Sequence, residues 1–203
     1  MDDNEIRIIS GFEAFVAEFK GESDRATVIL TAARLDTMLF SILHKHFLPC
    51  SGSHDDLFEN QGPAATFANR IALVHRLGLI NDEFARNLHL VRRLRNDVAH
   101  ETSACSLEKG SHRDRVDAIT GPYRRVPLFP RFKGMFFTGV SDSRADYSTI
   151  VGIMILRLSF LLEEISQVDS TRAWRVITTK MMDPQVVAVI GKQSAPEPGR
   201  SAT

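Results

Sequence analysis

Ser23-Asp24-Arg25-Ala26-Thr27-Val28-Ile29-Leu30-Thr31-Ala32-Ala33-Arg34-Leu35-Asp36-Thr37-Met38-Leu39-Phe40-Ser41-Ile42-Leu43 reads as one long helix. Ser23 suits the N-cap, and Asp24 suits the first turn, where unpaired amides favour an acidic side chain. From Val28 onward apolar side chains cover nearly every face, which places the helix in the middle of a bundle. It is expected to run to about Phe47, because Pro49 cannot continue it.

Outward from this helix the same periodicity recurs. On its N-terminal side Ile8, Ile9, Phe12, Phe15, Val16 and Phe19 fall at helical spacing, with Gly21 as a stop. On its C-terminal side residues 49–63 read as a loop, and a shorter helix runs from roughly Ala64 to Leu77. Asn81 can cap the next, which carries Phe84, Leu88, Val91, Leu94 and Val98 on one stripe. Periodicity is lost from Ser103 to Asp146, where Pro122, Pro127 and Pro130 intervene; Val126 to Val140 is compatible with a short β-hairpin. Helix returns from Asp146 to about Gln167. The last stretch holds Trp174 and an apolar patch from Val186 to Ile190, and beyond Gly191 its composition is that of a disordered tail. The expectation is an all-α bundle of about four or five helices over residues 1–167. An irregular or hairpin insertion occupies 103–146, and 168–203 form an extension.

Charge bounds the function. The 25 basic and 25 acidic residues cancel, so nothing in the whole chain draws it toward nucleic acid. Residues 109–133 are locally basic (Lys109, Arg113, Arg115, Arg124, Arg125, Arg131, Lys133), and the plain reading is a solvated segment with counter-charges nearby in space. Cys50 and Cys105 stand apart, and the histidines show no ligand spacing, so no metal or cofactor is expected. The acidic start and the lack of an apolar run long enough to cross a bilayer point to the cytoplasm and away from a membrane.

Some charges sit on apolar stripes. On a helical wheel Arg25 and Asp36 share a face with Ile29, Ala33, Phe40 and Leu43, and Arg95 lies beside Leu88 and Val91. Buried charges need partners, so Asp36 is expected to pair with Arg95 or Arg25 in a polar cluster that Arg92 adjoins. Such a cluster is either a structural ion pair or a site for an anion or phosphodiester.

The run Arg95-Asn96-Asp97-Val98-Ala99-His100 resembles the signature of the higher-eukaryote and prokaryote nucleotide-binding (HEPN) helical domains. The wider pattern resembles the mannitol operon repressor (MltR) family more closely. It includes Glu22-Ser23-Asp24-Arg25, Ala33-Arg34-Leu35-Asp36, Phe67-Ala68-Asn69-Arg70-Ile71, His75-Arg76-Leu77-Gly78-Leu79-Ile80 and Leu88-His89-Leu90-Val91-Arg92. The resemblance implies a helical bundle that forms a homodimer. Its regulatory branch implies a non-catalytic protein of transcriptional control with a protein partner. Its catalytic members imply a metal-independent endoribonuclease, with an antitoxin as partner. In that case Arg95 would stabilise phosphorane charge, Asn96 would orient the phosphate or the imidazole, and His100 would transfer protons.

Arg95 and His100 are five residues apart, roughly 140° on a continuous helix. They converge only if the helix ends between them or a second subunit supplies one. A further alternative is direct DNA binding by residues 65–95 as a helix-turn-helix, with Arg86, Arg92 and Arg93 on phosphates. The regulatory reading is preferred because the chain is neutral.

Overall fold

The computed structural model describes residues 3–59, 61–102 and 105–185. The chain divides into two units, Met1–Ser166 and Gln167–Thr203. The first contains α1 (Asp3–Lys20), α2 (Asp24–His46), α3 (Phe67–Arg76), α4 (Asp82–His100), α5 (Gly110–Thr120), α6 (Leu128–Phe136) and α7 (Asp142–Glu164); the second contains α8 (Ser170–Met181). No strand occurs among the described residues. The apolar patch at 186–190 and the tail beyond Gly191 lie outside them.

α2 is the hub and touches α1, α3, α4 and α7. The Ser23 hydroxyl caps it by accepting from the Ala26 amide at 3.2 Å. Val28, Ala32, Leu35, Leu39, Ile42 and Leu43 are buried, the five larger side chains each contributing about 1.5–3 kcal/mol of apolar burial. The helix is not sealed all round, however. Ile29 and Leu30 remain 37% and 38% exposed. The face that Arg25 and Asp36 share is therefore a half-open flank, which is why charge is tolerated there.

α7 is the second core element. Its Tyr147 is fully buried, and the hydroxyl shares a 2.9 Å hydrogen bond with Thr31 of α2. Burial pushes that phenol well above its ordinary pKa. At Gly152 an added Cβ would stand 3.1 Å from Phe12 Cζ and 3.3 Å from Phe132 Cε1. Rings from α1 and α6 thus rest directly on the α7 backbone. Both α2 and α7 have the length and mean apolarity of a membrane span, although neither is an unbroken apolar run. Within this fold 50% and 61% of those stretches are buried, at the centre of the bundle.

The segment between α4 and α7 departs from expectation. Among the described residues it folds as two helices, α5 and α6, with no hairpin, so the first unit shows seven helices there where four or five were expected. Pro127 stands at the α6 N-cap and Pro130 in its first turn, where the missing N–H costs nothing. Phe129, Phe132 and Phe136 then recur at helical spacing; the Phe132 and Phe136 rings lie 4.6 Å apart and pack on Phe12 at 5.4 and 5.6 Å. In α5 the dense charges hide the short buried set Val116, Ile119 and Thr120. α7 begins four residues earlier than its apolar pattern suggested, at Asp142.

A polar clasp holds this segment to the body. Asp24 at the start of α2 accepts from the Leu107 amide at 2.8 Å. The next residue, Glu108, accepts from the Ser143 and Arg144 amides at 3.0 and 3.3 Å, capping α7 from a distance. Arg144 in turn donates to the Lys20 carbonyl at 2.9 Å. Burial alone would raise the Glu108 carboxyl; the hydrogen bonds from Ser141, Arg144 and Ser143 outweigh it and hold the pKa below the ordinary value.

Candidate functional site

α4 carries the motif residues. The Asn81 side chain caps it by accepting from the Phe84 amide at 3.0 Å, and it then runs unbroken to His100. Leu88, Val91, Leu94 and Val98 are buried, and the helix packs on α2, α3 and α5. On the flank of that stripe Arg92, Arg95 and Asn96 are half-buried. They line an open cleft with Asp36 of α2 and with Ala65, Thr66, Phe67 and Ala68 at the start of α3. The Arg95 guanidinium donates to the Asn96 side-chain oxygen at 3.0 Å.

Asp36 does not pair with Arg95 or Arg25. Its partner is Arg70, whose Nη1 donates to Asp36 Oδ1 at 2.7 Å. The other Arg70 nitrogens donate to the Ala64 and Ala65 carbonyls at 2.9 and 3.1 Å, and its guanidinium lies 5.3 Å above the Phe40 ring. Arg70 thereby fastens the loop before α3 to α2. Arg25 belongs to the opposite end of α2, where its charge acts on Cys105. The expected cluster of Arg25, Asp36 and Arg92 is thus split. Asp36 and Arg92 share the cleft with Arg95 and Asn96, and Arg25 stands elsewhere.

The electrostatics of the cleft follow from this pairing. The carboxylate that lines it, Asp36, is already bonded to Arg70, which leaves the Arg92 and Arg95 charges facing the opening beside the positive end of α3. Arg92 Nε is buried without a hydrogen-bond partner. Nearby, burial first and then the charges of Arg92, Arg93 and His75 hold His89 below its ordinary pKa. His100 is not part of this cleft: it is exposed, and it ends α4. Because the helix is continuous, Arg95 and His100 diverge within one chain.

Four of the seven basic residues of 109–133, Arg113, Arg115, Arg124 and Lys133, meet counter-charges. Arg115 bonds Asp97, Arg124 bonds Asp117 and Asp146, and Lys133 bonds Asp146 at 2.7 Å and Asp142 at 3.3 Å. They brace α4, α5, α6 and α7 against one another.

One constellation was not legible in the spacing. Glu101, Cys105 and His112, all half-buried, bring one ligand atom each to within 4.8 Å of one another. Glu101 caps the end of α4 and His112 lies in α5. Burial pushes the Cys105 thiol above its ordinary pKa, and Glu101 adds to the effect.

No family model matches the chain, and no curated protein matches it. Among solved structures, a chain of the X-ray structure of the MtlR–HPr complex from Escherichia coli is similar, with a TM-score of 0.50 and 18% identity. The match covers 75% of this chain and 98% of that one. At such identity the likeness concerns architecture, and this chain has an all-helical fold similar to that of its neighbour in the MtlR–HPr complex.

Proposed function

We propose that this chain is a non-catalytic regulatory protein of the mannitol operon repressor type. It acts in transcriptional control as a cytoplasmic homodimer that binds a protein partner. Residues 1–167 carry this role, with 168–203 as an appended extension. The observation that supports the reading is the unbroken course of α4. Arg92, Arg95 and Asn96 reach the cleft together, while His100, the proton-transfer group, is set apart at the helix end. Two guanidiniums facing an opening whose lining carboxylate, Asp36, is already bonded to Arg70 suit the binding of an anionic side chain. The partner is accordingly a protein that presents an acidic group. The fold likeness to a protein solved with HPr makes HPr the first partner to try.

The test is calorimetric titration of HPr from the same organism into the full chain, and into Arg92→Ala/Arg95→Ala. Saturable binding that weakens at least tenfold in the double variant and at raised salt is expected. Absence of binding, or equal binding by the variant, would count against the proposal.

A second reading is favoured by the exposure of His100. An endoribonuclease would need a dimer in which the α4 ends are apposed, so that His100 of one copy meets Arg95 and Asn96 of the other. Cleavage of a mixed single-stranded RNA in EDTA by the wild type, and none by His100→Ala, would select it. The DNA-binding alternative gains little support, since α4 is packed on α2, α3 and α5.

A further inference from the structure

We propose that Glu101, Cys105 and His112 bind a zinc ion where the end of α4 meets the start of α5. The donors are a carboxylate, a thiol and an imidazole, the mixed oxygen, sulfur and nitrogen set that suits Zn²⁺ over Mg²⁺ or Ca²⁺. One imidazole nitrogen would bind the ion, and one ligand atom from each of the three residues lies within 4.8 Å of the other two. The His112 Nδ1 is 4.0 Å from Cys105 Sγ, and its Nε2 is 3.9 Å from Glu101 Oε2. Tetrahedral bonds to zinc separate neighbouring ligand atoms by about 3.3–3.8 Å, so side-chain rotations of about 1 Å close the set.

Charge balances as well. The thiol gives its proton to solvent, and thiolate and carboxylate then neutralise the dication, so the half-buried site carries no net charge. The thiol and the Glu101 carboxylate already meet through a side-chain hydrogen bond. His112 is held ready, its side chain only 12% exposed. Three protein ligands leave a fourth position for water, as in open zinc sites. The site would pin α5 to the α4 terminus that bears His100, and so it bears on either reading of the motif without depending on one.

The spacing offered no sign of this because the ligands come from a helix cap, a loop and a second helix. The experiment uses the full chain, stripped with chelator and kept reduced, and titrated with Co²⁺. One equivalent is expected to produce a thiolate-to-cobalt charge-transfer band with the intense visible absorption of four-coordinate cobalt, and Zn²⁺ is expected to displace it. Cys105→Ser should abolish the charge-transfer band. His112→Gln should weaken Zn²⁺ binding at least tenfold, and Cys50→Ser should change nothing. Absence of the band in the wild type overturns the proposal. So does a band that survives Cys105→Ser and disappears in Cys50→Ser. Because the wild-type titration is decisive by itself, misfolding of a variant does not rescue the idea.

Discussion

Arg70 provides the sharpest test of how the cleft is built. Replacing it with Met keeps the apolar stem and removes the guanidinium. The change deletes the 2.7 Å bond to Asp36, the 2.9 and 3.1 Å bonds to the Ala64 and Ala65 carbonyls, and the charge above Phe40. A hydrogen bond to a charged partner is worth about 1.5–3 kcal/mol, a carbonyl bond about 0.5–1.5, and a cation over a ring about 0.5–1. Groups acting as one unit do not add fully, so the expected loss is about 3 kcal/mol, at the low end of the sum. For a chain of this size that is a fall in Tm of about 6–12 °C. Asp36→Asn keeps the shape and removes one charge, and should lose about 1–2 kcal/mol. The cycle completed by the double variant should return a coupling of about 1–2 kcal/mol. Urea and thermal unfolding followed by circular dichroism measure all four proteins. A Tm change below about 2 °C for Arg70→Met, or a coupling indistinguishable from zero, would refute the role assigned to Arg70.

Other expectations follow from single contacts. Glu108 has its folded pKa held below the ordinary value, so its stabilising effect is present above the unfolded pKa and is lost as pH falls through the folded one. Glu108→Gln should therefore be less stable at neutral pH and show a shallower acid limb when the urea midpoint is followed from about pH 7 to about pH 3. Gly62→Ala should destabilise by about 1–3 kcal/mol and open the turn at Gly62 to protease, because an added Cβ would fall 2.2 Å from the Asp56 carbonyl oxygen and 2.6 Å from that of Leu57. Gly11→Ala, with nothing within 4 Å, should instead stabilise α1 by about 0.5–1 kcal/mol. Tyr147→Phe should cost about 1 kcal/mol, through the bond to Thr31 alone; a loss several times larger would mean that the Thr31–Tyr147 pair organises more of the core than its geometry shows.

What could be read from the chain was what short-range pattern controls. Ser23 and Asn81 cap the helices they were expected to cap, and the stripe from Leu88 to Val98 is buried as its spacing required. Asp36 shows where such reading stops. Its charge on an apolar flank announced a partner, but Arg25, Arg70 and Arg95 were equivalent by type, and only the packing of α3 on α2 selects Arg70. The insertion hides its helices for a different reason. Proline breaks a helix interior, but Pro127 and Pro130 stand at the N-cap and in the first turn of α6, where proline is compatible with helix. The Glu101, Cys105 and His112 grouping depends on how the chain turns between α4 and α5, and local spacing holds no record of that turn.

The clasp made by Asp24, Leu107 and Glu108 has a kinetic consequence. The first amides of α7 find their acceptor 35 and 36 residues earlier in the chain, so no local event can protect them. The Ser143 and Arg144 amides should therefore exchange with deuterium in step with the opening of residues 107–108, at rates unlike those of the α7 interior. During folding, α7 should frame its middle turns first and acquire its N-terminal turn only when the intervening chain has docked on α2. The ragged start of one core helix and the anchorage of a distant segment are then one event, and a perturbation of either should be visible in the exchange of the other.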